Sequence, residues 1–172
     1  SKVRTADKNF SYEGVTSGCF FGQHLWPNSG QRIIITEGEL DAASYSELYP
    51  TWPVVSLPNG AAAAKKSIKN NLEFLQGYDQ ILLWFDNDEA GITAAKDAAS
   101  VLPPGKAYIA RLEAYKDLSD ALQANDLKAV DDAFYKRSEY RPDGIVEGKS
   151  LLDVVTTPNP PSNHDYPFDG LQ

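Results

Sequence analysis

Short apolar runs alternate with amphipathic stretches over most of the chain. Arg32–Thr36 (RIIIT) is β-branched with no polar alternation, as expected of a strand covered on both faces. Glu39–Leu48 reads as a helix stopped by Pro50. Val54–Leu57 is a second strand, ended by the loop signal Pro58-Asn59-Gly60. Ala61–Gln76 is the longest helical stretch, with Gly77 at its stop position. Gln80–Phe85 (QILLWF) is a third strand, and Glu89–Leu102 a helix ended by Pro103-Pro104-Gly105. Lys106–Leu112 is a fourth strand, followed by helices near Leu118–Ala124 and Leu127–Ser138. Such alternation predicts an α/β fold, a mostly parallel sheet flanked by helices.

The ends of the chain fit this pattern poorly. Aromatic residues and glycines before residue 30 (Phe10, Tyr12, Phe20, Phe21, Trp26) predict irregular β structure or the end of a preceding subdomain. From about Ser150 to Gln172 the chain is rich in Pro, Asn, Asp and Ser without a sustained period, which reads as linker.

Composition narrows the class. Apolar residues make up 42% of the 172, enough for a core. No apolar run approaches the ~18 residues that span a bilayer, so no membrane partner is expected. The single cysteine, Cys19, excludes an internal disulfide and a thiolate zinc cluster, so no zinc is expected in this chain. Methionine is absent even at position 1, which reads as a piece of a longer soluble, cytoplasmic protein. The net charge of −8 argues against wrapping nucleic acid by bulk charge. Yet residues 1–80 hold 7 basic and 8 acidic side chains, against 9 and 16 in the remainder. Basic residues cluster at Lys2, Arg4 and Lys8 and at Lys65, Lys66 and Lys69.

The positions of the acids carry more information than their number. Glu37 follows the first strand, Asp86 and Asp88 the third, and Asp117 comes soon after the fourth. In an open parallel sheet all carboxyl ends lie along one edge, where ligands bind. Crowded carboxylates repel one another unless a cation neutralises them, and hard oxygen donors suit Mg²⁺ or Mn²⁺. Helix capping is the simpler role for each Asp, most of all Asp88. Glu is a poor cap, so TEGELD at 36–41 and FDNDEAG at 85–91 exceed what capping requires. Gly38 allows close backbone approach to a ligand, and Gly91 tight helix–sheet packing.

A strand ending in Glu-Gly-x-x-Asp (Glu37, Gly38, Asp41), then one ending in Asp-x-Asp-x-x-Gly (Asp86, Asp88, Gly91), resembles the two signature motifs of the TOPRIM fold. The stretches FGQHLW, IIITEGELDA, PVVSLPNGAAAAKK and ILLWFDNDEAG are similar to the bifunctional primase–helicases of T-seven-like podophages, over about Lys2 to Gly148. The resemblance implies that Glu37 is the general acid/base of nucleotidyl transfer and that Asp86 and Asp88 bind metal. Asp41 matches the acid one turn into the first motif, and Asp117 a further metal-associated acid. Lys2 and Lys8 match basic residues associated with template and nucleotide. Gly38, Asn59, Gly60, Lys65 and Lys66 complete the implied nucleotide- or template-binding set, with Asn59 where the family commonly has His. The implied division is residues 1–30 as the end of an N-terminal primase subdomain and 31–115 as the TOPRIM core. Residues 116–149 form a C-terminal helical part, and 150–172 a linker towards a helicase domain.

The implied function is template-directed synthesis of short RNA primers on single-stranded DNA from ribonucleoside triphosphates, in the host cytoplasm. The implied partners are zinc-binding and helicase domains of the parent chain. A TOPRIM nuclease or topoisomerase fragment and a non-catalytic TOPRIM scaffold beside a helicase remain alternatives. His24 is expected to pack near Trp26. Gly144-x-x-x-Gly148-Lys149-Ser150 lacks the spacing and the preceding strand of a phosphate loop.

Overall fold

The computed structural model describes residues 2–4, 10–12, 18–142 and 156. Ser1–Tyr140 forms one compact unit and Arg141–Gln172 a second. The chain begins with an antiparallel pair, β1 (Lys2–Arg4) and β2 (Phe10–Tyr12), in which Lys2 lies opposite Tyr12.

The main sheet contains β3 (Gly30–Thr36), β4 (Val54–Ser56), β5 (Tyr78–Trp84), β6 (Ala107–Ile109) and β7 (Ser138–Glu139), in the spatial order β4-β3-β5-β6-β7. The first four strands run parallel, and β7 is antiparallel to β6. The helices are α1 (Glu39–Leu48), α2 (Ala64–Asn70), α3 (Leu72–Gln76), α4 (Glu89–Ala99), α5 (Leu118–Gln123) and α6 (Leu127–Tyr135). From β3 the chain passes through α1 to β4 on one side; from β5 it passes through α4 to β6 on the other. The order therefore reverses between β3 and β5, the place where open α/β sheets bind ligands.

The central strands alternate their side chains between two apolar layers, as period two requires. Ile33, Ile35, Ile81 and Leu83 pack with Ile68, Leu75, Ala94 and Ala98 of α2, α3 and α4. Ile34, Leu82 and Trp84 pack on the opposite side with Ala42, Tyr45, Leu118, Val130 and Phe134 of α1, α5 and α6. Burying each large apolar side chain contributes about 1.5–3 kcal/mol, so this double layer holds the strand ends rigid.

Several predicted bounds change, each for a local reason. The stretch 61–76 is not one helix: a 3₁₀ turn at Ala61–Ala63 leads into α2, and the chain breaks at Asn71 before α3. Asn71 is buried, and its Nδ2 donates to the Ser67 carbonyl at 2.8 Å and the Gly18 carbonyl at 2.9 Å. It thereby ties residues 18–20, with buried Phe20, to the helical layer. Gly77 ends α3 in ordinary right-handed conformation. It is needed for space, since a Cβ there would lie 1.9 Å from the Asn28 carbonyl oxygen. The third strand begins earlier, at Tyr78, whose hydroxyl donates to the Pro27 carbonyl. The fourth stops at Ile109, and β7 arises in a stretch predicted to be helical as far as Ser138. His24 is exposed, whereas Trp26 turns inward and donates Nε1–H to the Val54 carbonyl at 2.7 Å. Among the described residues no helix is long and apolar enough to cross a membrane.

Candidate active site

The parallel register sets Thr36 of β3 beside Trp84 of β5, so Glu37 and Asp86 leave the sheet from neighbouring strands at the point of reversal. Thr36 Oγ1 donates to the Gly38 carbonyl at 2.9 Å and bends the chain just after Glu37. Glu37 Oε1 accepts from the Ala61 backbone N–H at 3.3 Å, whereas Oε2 is buried without a hydrogen-bond partner. Gly60 makes the turn that delivers this N–H with φ +66°, a conformation that favours glycine. A Cβ on Gly60 would lie 3.8 Å from Glu37 Oε1. The 58–61 loop therefore lies at the acidic edge, as its position after β4 implies.

Asp86 and Asp88 follow β5 but do different things. Asp88 caps α4, accepting from the Gly91 N–H at 2.9 Å, and so fulfils the expected capping role. Asp86 caps nothing and pairs with Lys116 Nζ at 3.1 Å, while the same ammonium lies 3.9 Å from Asp88. Between the two acids, Asn87 donates Nδ2–H to the Leu112 carbonyl at 2.8 Å and its backbone N–H to the Lys116 carbonyl at 2.7 Å. These bonds bring the loop after β6 across the end of β5. Asp117 then caps α5 through the Asp120 N–H at 2.8 Å.

Asp41 is held by a different partner. It is 9% exposed and accepts from both the backbone N–H and the hydroxyl of Ser119, each at 3.1 Å. Its carboxylate thus fastens α1 to the start of α5. Gly38 opens α1 with extended backbone, and a Cβ there would meet Asp41 Oδ2 at 2.9 Å. The space at Gly38 accordingly serves the neighbouring carboxylate.

Burial holds the Glu37 carboxyl above the ordinary range, reinforced by the negative charges of Asp86 and Asp88 and opposed by the backbone N–H groups of Ala61 and Asp86. Burial also raises Asp86; Lys116 opposes the shift, while Asp117 and Asp88 add to it. Asp41 is raised by burial against its Ser119 bonds, with further contributions from Asp117 and Asp86. These five acids therefore form one electrostatic set. Raised carboxyl values mean that the folded state binds protons more tightly than the unfolded chain. The metal-free protein is expected to gain stability from Glu37, Asp41 and Asp86 as pH falls from neutral to just above the ordinary values of 4.5 for Glu and 3.8 for Asp. Thermal melting with chelator across that range checks the sign; a melting temperature that only falls would mean the acids are stabilised as anions.

The remaining predicted residues are less closely placed. Lys65 and Lys66 are exposed on α2, and Asn59 is exposed in the loop before it. Lys2 belongs to β1, but its side chain and all of Lys8 lie outside the described residues, as does the Gly144–Ser150 stretch. Among the described residues no three His, Cys, Asp or Glu side chains are close enough to hold one metal ion together. Sequence reasoning missed Lys116 and Asn87. Tyr-Lys-Asp at 115–117 placed a cation beside a candidate acid, but only the folded loop points it at Asp86.

The acids gather at the point of reversal of an open α/β sheet, the edge at which such sheets bind ligands. Residues 34–122 match the family described as Toprim-like, and the chain belongs to that family. It is 42% identical over 156 residues to the DNA helicase/primase of Enterobacteria phage T3, covering 90% of this chain and 27% of that protein. It therefore spans about a quarter of the length of this relative. The crystal structure of the primase fragment of the bacteriophage T7 primase-helicase superposes with TM-score 0.72 and 41% identity, covering 77% of this chain and 56% of that one. A second bacteriophage T7 structure shows lagging-strand DNA polymerase interacting with primase domains of two subunits bound to an RNA/DNA hybrid and dTTP. It matches with TM-score 0.74 and 40% identity, over 81% of this chain and 71% of that one.

Proposed function

We propose that this chain is the polymerising domain of a phage primase–helicase, joining ribonucleoside triphosphates into short RNA primers on single-stranded DNA. The observation that carries this reading is the convergence of Glu37 and Asp86 at the sheet reversal, in a chain similar to phage primases. Helicase and zinc-binding domains of the parent chain are the natural partners.

The donor set suits Mg²⁺ or Mn²⁺: hard carboxylate oxygens from two strand ends, one of them, Glu37 Oε2, buried without a partner. Asp86 and Asp88 would hold the cation, with Asp117 beside them, and no zinc is involved here. When bound, it supplies positive charge to the triphosphate and to the reacting phosphate. Glu37, pushed upward by burial, is placed to take the proton of the primer hydroxyl and pass it on. Its Ala61 hydrogen bond fixes one oxygen and leaves the other for that task. Asp41 acts at a distance, holding α5 and hence Asp117 in place. The Asn59-Gly60 loop lies where the nucleotide arrives, and exposed Lys65 and Lys66, with Lys2 and Lys8, offer positive charge to template phosphates.

The test is primer synthesis on single-stranded DNA with Mg²⁺ or Mn²⁺, comparing the chain with its Asp86→Asn variant. A loss of about 10²-fold or more is expected, in the range for a group that stabilises developing charge. Equal activity in the two proteins would remove Asp86 from the site, and metal-dependent strand cleavage without nucleotides would point to a nuclease.

A further inference from the structure

Lys116 has no role in the motif logic, yet the fold aims it at the metal-associated acids. Its ammonium lies 3.1 Å from Asp86 and 3.9 Å from Asp88, the two carboxylates proposed to hold a divalent cation. The placement is built, because the Lys116 carbonyl is held by the Asn87 N–H at 2.7 Å and Asn87 Nδ2 grips the same loop at Leu112. The residue between the two acids thus anchors the lysine that neutralises them. The three side chains differ in freedom: Asp86 is 18% exposed, Asp88 48% and Lys116 57%. The acids' positions are set by the sheet and helix cap, whereas the ammonium sits on a flexible stem that reaches water.

We propose that Lys116 is a placeholder cation, occupying the Asp86–Asp88 position in the metal-free protein and leaving it when a divalent cation enters. The proposal rests on the reading of Asp86 and Asp88 as metal-holding acids. Two cations cannot share this space without strong repulsion, so entry of one expels the other. The displaced ammonium then needs an anion, which an incoming triphosphate supplies. Lys116 thereby penalises entry of a bare metal ion and lifts the penalty when nucleotide arrives with it, a coupling between two ligands through one side chain.

The experiment titrates Mn²⁺ alone into the 172-residue chain and into Lys116→Met and Lys116→Arg, following free Mn²⁺ by electron paramagnetic resonance. Lys116→Met is expected to bind Mn²⁺ about two- to fivefold more tightly than the unaltered chain, the scale of losing a partly exposed ionic competitor. Lys116→Arg, which keeps the charge, should stay near the unaltered affinity. Melting in chelator provides a second readout: Lys116→Met should melt lower than the unaltered chain without metal and gain more from added Mn²⁺. Equal Mn²⁺ affinity in Lys116→Met and the unaltered chain, or no Mn²⁺ binding by either, overturns the proposal. Primer synthesis measured in parallel separates the two readings. Tighter Mn²⁺ binding by Lys116→Met with no primer made by any form upholds the placeholder and defeats the proposed function. Primer synthesis with unchanged Mn²⁺ affinity does the reverse.

Discussion

Glu37→Gln is expected to reduce primer synthesis by about 10²–10⁴-fold, the usual contribution of general acid–base catalysis, while raising the melting temperature of the metal-free chain. Both effects follow from one carboxylate. Glutamine keeps an oxygen that can accept the Ala61 N–H, so the hydrogen bond at 3.3 Å survives. It cannot take up a proton from a hydroxyl. It also removes a negative charge that burial disfavours and that Asp86 and Asp88 repel, which is why the variant should be the more stable protein at neutral pH. Lowering the pH protonates Glu37 and should close the gap in melting temperature. Primer assays and chelator melts on the same preparations check the pair of effects. Loss of activity with loss of stability would mean that Glu37 is chiefly structural.

Gly91→Ala is expected to destabilise the chain by about 1–3 kcal/mol, the cost of overpacking, although alanine favours helix by about 1 kcal/mol over glycine. A Cβ at residue 91 would lie 2.2 Å from the Asp86 carbonyl oxygen and 3.0 Å from its carbonyl carbon. The obstacle is backbone, which cannot rotate aside as a side-chain tip would. Either α4 moves off the sheet or the end of β5 shifts, and each displaces Asp86. Primer synthesis should therefore fall with stability, and it should stay low even at temperatures where the variant is folded by circular dichroism. Gly105→Ala is the control: nothing lies within 4 Å of a Cβ there, so only the cost of its φ of +79° applies. Equal melting temperatures for Gly91→Ala and the unaltered chain would show that the helix start has slack.

Both expectations rest on carboxyls that burial disfavours as anions. Three of the site's carboxyls, Glu37, Asp41 and Asp86, are held above their ordinary values chiefly by burial. Asp41 recovers part of that cost through Ser119, and Asp86 through Lys116. Glu37 recovers part through the backbone N–H groups of Ala61 and Asp86, while its buried Oε2 has no hydrogen bond of ordinary geometry, as expected of an atom kept for a ligand or a proton.

Much of the arrangement was legible because it is local. The run RIIIT, the helix Glu39–Leu48 and the Asp88 cap on α4 depend on neighbours a few residues away, and the structure contains them as read. The break at Asn71 was not legible, since its cause is a carbonyl at Gly18 far back in the chain. The stop at Gly77 is visible in the sequence, but the reason only glycine fits there is the approach of Asn28, which residue order does not show. β7 is two residues long, too short for any periodic pattern.

The same division runs through the site. By itself the sequence determined that acids stand after three strands and that one of them is a glutamate unsuited to capping. Hydrophobic runs and caps are short-range, so strand ends can be located from residue order. Only the tertiary structure decided that β3 and β5 are neighbours on which the order reverses, because strand pairing depends on crossovers that join distant segments. That pairing puts Glu37 beside Asp86, sends Asp41 into a clamp on Ser119, and folds Lys116 back over Asp86.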